Sequence, residues 1–134
     1  MSSRSGRCSG GDLGVVKALR YGPAALLSLT IFVLSSIPGH KLGWVFGWDK
    51  ALHAIEYGTL GAAYLRALDP AATRARLAGI AWVLAALFGV SDEIHQLFTP
   101  GRSADVRDVI ADAIGAALGV LAYRAVCARR RELR

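Results

Sequence analysis

Residues 77–112, LAGIAWVLAALFGVSDEIHQLFTPGRSADVRDVIAD, decide how this chain is to be read. They open on an apolar run reaching Phe98 that carries no charge before Asp92. As a helix, at ~1.5 Å rise per residue, such a run matches the ~30 Å hydrocarbon core of a bilayer. Thr99-Pro100-Gly101 then predicts a tight turn, with Ser103 or Asp105 able to cap a further helix over residues 106–127. Between and just inside the two runs stand Asp92, Glu93, His95, Gln96, Arg102, Asp105, Asp108 and Asp112. In so hydrophobic a setting these groups are costly to keep unless they pair with one another or do chemistry.

Working outward, two more runs appear. Lys17 and Arg20 precede an apolar run over residues 21–37 that ends at Pro38-Gly39. A cleaved signal peptide is the rival reading of that run, but no A-x-A site follows it, and its loss would deprive the later helices of a partner. Asp49 can cap a second helix over residues 49–68, stopped by Asp69-Pro70. That helix carries His53, Glu56, Tyr57 and Tyr64 and is the weakest span by hydropathy. The connector before it holds Trp44, Phe46 and Trp48, which suit a membrane interface. The expected fold is all-α: an integral membrane bundle of four transmembrane helices. Residues 1–19 read as a basic, disordered tail, 20–127 as the membrane domain and 128–134 as a basic cytoplasmic tail.

Composition agrees. The 134 residues are 54% hydrophobic with a mean hydropathy of +0.39, in long blocks rather than alternating strands. The net charge of +6 does not form a phosphate-binding face, because the bases gather in tails and at segment ends; no nucleic-acid partner is expected. Twelve of the sixteen Lys and Arg fall in the N-tail, the second-to-third connector and the C-terminal segment. By the positive-inside bias both termini are therefore cytoplasmic, in a multi-pass protein of the cytoplasmic membrane. Cys8 and Cys127 then face a reducing compartment and form no bridge. No GxxxxGK[ST], GxGxxG, CxxC or HExxH pattern occurs, and no repeat.

The acids show the opposite bias: Asp49, Glu56, Asp92, Glu93, Asp105, Asp108 and Asp112 fall at the outer ends, with His40, His53 and His95. Helical rise puts Asp92 ~9 Å below the end of the third helix, Asp112 ~10 Å into the fourth and His53 ~6 Å into the second. Asp105, Asp108, Asp112, Gly115 and Gly119 make one stripe of the fourth helix, and Gly115-x-x-x-Gly119 invites close approach of another helix. Gly89, Asp92 and Gln96 form the matching stripe on the third, and Asp49, His53 and Tyr57 share a face of the second. Asp92 and Glu93 sit where the helix dipole opposes negative charge, so they need a cation, a metal or a proton. Arg102 is the expected partner, then His53 and Lys50.

The blocks Asp49-Lys50-x-x-His53-x-x-x-Tyr57-x-x-Leu60-Gly61 and Asp92-Glu93-x-x-Gln96-x-Phe98-x-Pro100-Gly101-Arg102, followed by Asp105-x-x-Asp108 and Asp112-x-x-Gly115, resemble the VanZ-like family. The Ser35-Ser36-x-Pro38 end of the first helix fits as well, so the likeness covers residues 20–125. Asp112 stands where Asn is frequent in that family. The resemblance implies a small multi-pass bacterial membrane protein of the cell envelope, in a family whose namesake is linked to resistance to the glycopeptide teicoplanin.

Three functions fit these residues. Asp92, Glu93, Arg102, Asp105 and Asp108 can form a structural knot that ties helix ends. Alternatively, Asp49, Lys50, His53, Tyr57, Asp92, Glu93, Gln96, Arg102, Asp105, Asp108 and Asp112 line a binding site for an envelope lipid or glycopeptide-like ligand. There Arg102 would grip phosphate or carboxylate, and Trp44 and Trp48 would cover the apolar part. The third is an enzyme using His53 or His95 with Asp92 and Glu93 as catalytic groups, either as an acid–base pair or as metal ligands. No cofactor is expected and no spacing singles out a metal, although a divalent ion stays open. The lipid bilayer is the expected partner; a homo-oligomer is a further option.

Overall fold

A computed structural model of the chain describes residues 10–41 and 49–134. The aromatic connector with Trp44, Phe46 and Trp48, Cys8 and the side chain of Asp49 lie outside the described residues. Four helices follow in order: α1 (Gly10–Ser35), α2 (Asp49–Leu68), α3 (Ala75–Gln96) and α4 (Val106–Glu132), with one 3-10 turn at Gly39–Lys41. Among the described residues there is no strand.

Two of these helices outrun the apolar sequence that predicts them. α1 starts at Gly10, so much of the polar stretch assigned to a disordered tail is helical. α4 continues through Arg129, Arg130 and Arg131 to Glu132, because the tail holds good helix formers and no Pro or Gly to stop it.

The centre of the bundle is the α2–α4 pair. A Cβ on Gly119 would lie 1.8 Å from the Gly58 carbonyl oxygen, and one on Gly115 would lie 2.2 Å from that of Ala54. Backbone therefore lies on backbone, as the small-residue spacing predicts. Tyr57, Leu60, Ala85, Ala116 and Ile31 fill one half of the core, and Leu65, Ala78, Ala81 and Val120 the other. α3 covers α2 and α4 from one side, while α1 leans on α2 and on α3.

α1 contains Pro23, whose missing N–H leaves the carbonyl of Leu19 without its helical donor. Arg66 on α2 donates to that oxygen at 3.2 Å. The defect in one helix thus becomes an attachment point for the next.

Among the described residues, α1, α3 and α4 are each long and apolar enough to cross a membrane. Their outward faces carry Leu26, Leu29, Val33, Leu87, Leu118 and Leu121, all well exposed. An apolar surface that extensive suits lipid rather than water.

Candidate functional site

The turn between α3 and α4 sets the geometry of the polar cluster. Gly101 adopts φ +74°, and the Arg102 N–H donates to the Thr99 carbonyl at 3.1 Å. This is the pattern of a type II turn, with Pro100 and Gly101 at its two central positions. It brings the end of α3 against the start of α4, where Glu93 Oε2 accepts the backbone N–H of Asp105 at 2.9 Å. Asp105 is the cap of α4, accepting from the Arg107 N–H at 2.8 Å. That bond, ahead of the nearby Lys50, holds its carboxyl below the usual carboxylate range.

Behind the turn, α2, α3 and α4 converge on one acidic layer. His53 Nδ1 and Asp112 Oδ1 are 2.9 Å apart. Lys50 Nζ donates to Asp108 Oδ1 at 2.7 Å and to Asp105 Oδ2 at 3.3 Å. Gln96 Nε2 donates to Asp92 Oδ2 at 3.2 Å and to Glu93 Oε1 at 3.3 Å, bridging the two acids. His53, Asp92, Glu93, Asp108 and Asp112 are 7%, 4%, 4%, 6% and 0% exposed. Lys50 is about half exposed at the rim.

Asp112 owes its place to Gly89. A Cβ at Gly89 would lie 2.8 Å from Asp112 Oδ2 and 3.0 Å from Asp112 Cβ, so only glycine leaves room for that carboxylate. Asp112 Oδ2 and Asp92 Oδ1 are buried and have no hydrogen-bond partner among the described residues; the same holds for the Tyr57 hydroxyl. The Tyr57 ring lies beneath His53, nearly parallel to it at 6.4 Å. Burying a carboxylate oxygen without a donor carries a large desolvation cost. The layer is therefore rich in acceptors and short of donors.

Other residues from the sequence reading lie elsewhere. Arg102 does not pair with Asp92 or Glu93: its guanidinium donates to the carbonyls of Leu34 and Ile37 at 3.4 Å each, closing the C-terminal end of α1. Four orphan carbonyls at a helix end compete well for a guanidinium, and sequence distance cannot reveal that competition. His95 turns to α1, with Nε2 3.0 Å from Ser36 Oγ and its ring 4.5 Å from that of Phe32. His40 is exposed. Glu56 is half-buried and is not Lys50's partner, since Lys50 is taken by Asp105 and Asp108. Trp82 Nε1 donates to the Ala113 carbonyl at 3.0 Å, a contact no sequence motif predicts, and fixes α3 to α4 just below the layer.

The arrangement can accept hydrogen bonds and positive charge at its centre, and it can hold a proton between His53 and Asp112. No curated protein and no solved structure matches the chain. Residues 15–127, most of the chain and including every member of the layer, match the VanZ/LLP1 family model. With three helices fit to span a membrane, the chain belongs to the VanZ/LLP1 family and is a VanZ-like membrane protein.

Proposed function

We propose that the chain is a multi-pass protein of the bacterial cytoplasmic membrane that captures the polar head of an envelope amphiphile, a lipid or a glycopeptide-like ligand, in the α2–α3–α4 layer. The observation that carries this reading is the pair of buried carboxylate oxygens, Asp92 Oδ1 and Asp112 Oδ2, with no donor among the described residues. A finished structural knot would satisfy both. A head group bearing hydroxyl, amine or amide hydrogens supplies what they lack. Beside the layer, exposed Ile94, Leu97 and Phe98 offer apolar surface for the rest of an amphiphile.

In this reading α2 is the fourth span. Its Lys50 and His53 turn to acids of α4 rather than toward lipid, which is how ionisable side chains are kept in a membrane. The excess of bases at the opposite end then sets both termini in the cytoplasm and the acidic layer on the outer side. Resistance to a glycopeptide would be one outcome of such capture.

The test is thermal unfolding of the purified protein in detergent, with and without undecaprenyl phosphate, a lipid-linked peptidoglycan precursor or teicoplanin. At least one should raise the wild-type midpoint, and Asp92→Asn and Asp112→Asn should abolish that rise without lowering the midpoint of the unliganded protein. A fall in the unliganded midpoint of both variants, with no ligand effect on wild type, would instead support the knot.

A further inference from the structure

The same layer contains a set of groups that no single helix reveals. His53 from α2, Glu93 from α3 and Asp108 from α4 each offer one ligand atom, and these atoms lie within 4.8 Å of one another, all on buried residues. An ion with bonds of ~2.1 Å needs its ligand atoms within about 4.2 Å of one another, so the three side chains would draw together and Asp108 would loosen from Lys50 to hold it. We propose that His53, Glu93 and Asp108 bind a divalent first-row transition ion, zinc or manganese, at this three-helix junction.

Acidic residues gathered together are not by themselves a site, and two further observations point to an ion. The first is charge. Asp92, Glu93, Asp108 and Asp112 are all buried, and the neighbouring cations among the described residues are Lys50, shared with exposed-side Asp105, and His53 if protonated. Four buried carboxylates are not balanced by that set, and each unbalanced charge in a low-dielectric setting is costly. The second is unmet hydrogen bonding. Asp112 Oδ2 is fully buried without a partner, and its other oxygen already holds His53. Asp92 Oδ1 is likewise without a partner, and its other oxygen is tied through Gln96 to Glu93. Asp112 is thus one hydrogen bond from His53, and Asp92 is joined to Glu93 through Gln96, so both orphan oxygens belong to groups tied into the proposed ligand set.

The His53–Asp112 contact has the form found behind metal-bound histidines. A carboxylate bonded to one ring nitrogen raises the basicity of the other. Imidazole with two carboxylates suits zinc or manganese better than calcium or magnesium, which favour oxygen alone. The ion would also change what the layer can hold. Carboxylates repel a phosphate head group, whereas an ion with an open position attracts one. That last consequence rests on the capture of an envelope amphiphile proposed above; the binding of the ion does not.

Isothermal titration of chelator-stripped full-length protein in detergent, with zinc chloride and with manganese chloride, tests the site directly. Wild type should bind one ion per chain. Glu93→Gln and Asp108→Asn should each weaken binding at least about tenfold, and Asp112→Asn about 10- to 100-fold as a residue behind the ligand. His95→Ala, on the α1 side, should bind as wild type does. Should Glu93→Gln not fold, as judged by helical circular dichroism, Asp108→Asn and the wild-type titration carry the decision. Absence of a one-to-one isotherm for both metals in wild type overturns the proposal, as does equal loss in His95→Ala. An ion that binds while no amphiphile does leaves this site standing and removes the reading of function.

Discussion

The two ends of the bundle both bury aspartate, and they treat it in opposite ways. At the basic end Asp69, 6% exposed, accepts the Arg74 backbone N–H at 2.8 Å and faces the Thr73 hydroxyl at 3.5 Å. The Arg74 N–H, followed by that of Thr73, holds its carboxyl below the usual range. The remaining polar groups there also end on backbone carbonyls. Arg20 donates to Ala67 at 2.6 Å and Leu68 at 3.0 Å, Tyr123 to Pro70 at 2.9 Å, and Arg131 to Ala71. Every one of those bonds closes a helix end or a connector. At the acidic end Asp112 is more deeply buried, yet half of its carboxylate has no donor among the described residues. Depth alone does not separate the two ends; completeness of hydrogen bonding does.

The largest test of this contrast attacks the close α2–α4 contact that lies between the two ends. Gly119→Leu would drive a side chain into the Gly58 backbone, which cannot retreat as a flexible side chain can. Loss of more than about 3 kcal/mol, seen as failure to yield a monodisperse helical protein, is expected. Gly79→Ala, where nothing lies within 4 Å, should be neutral or slightly stabilising.

Next in size is Arg20→Gln at the basic end. Removing a charged donor from two helix-terminal carbonyls should cost about 1.5–3 kcal/mol in detergent unfolding, with ligand and metal responses unchanged. Asp112→Asn should do the reverse: little or no loss of stability, because it removes a half-satisfied buried charge, and loss of the responses. If both variants behave alike, the contrast between the ends is wrong.

The pH dependence should be smaller and confined to acid. Asp69 and Asp105 both have folded-state pKa values below their ordinary ones, each chiefly through a backbone N–H. Their contribution is present above the unfolded carboxyl value of ~3.9 and disappears as pH falls through the lower folded value. Melting temperature should therefore drop below about pH 4, and Asp69→Asn should flatten that drop. The smallest effect is a yes-or-no label. A cysteine placed at Ser103 should react with an impermeant maleimide on intact cells, and Cys127 should react only after permeabilisation.

Much of the architecture was legible in the residues. α2 ends at Leu68 as the Asp-Pro signal predicts, and α4 begins at Val106 behind the Asp105 cap; α2 takes Asp49 into its first turn, and the capping expected of that side chain lies outside the described residues. The Gly115–Gly119 stripe announced close packing, though not that α2 would be the helix received. What stayed hidden depends on competition between partners. Arg102 had acids nearby in sequence and took carbonyls of α1 instead. Likewise, His53, Glu93 and Asp108 are expected in one layer, but helical depth could not show that their ligand atoms approach within 4.8 Å of one another. Helical period places a residue on a face; only the packed bundle decides which neighbour wins it.

Gly89 carries a consequence beyond its own helix. Its missing side chain is the volume that Asp112 occupies, so the two positions make a single steric choice. Across the family they should drift together: a bulkier residue where Gly89 stands should come with a shorter one where Asp112 stands. Homologues that fill both positions at once should be absent, and those that empty both would have given up the layer altogether.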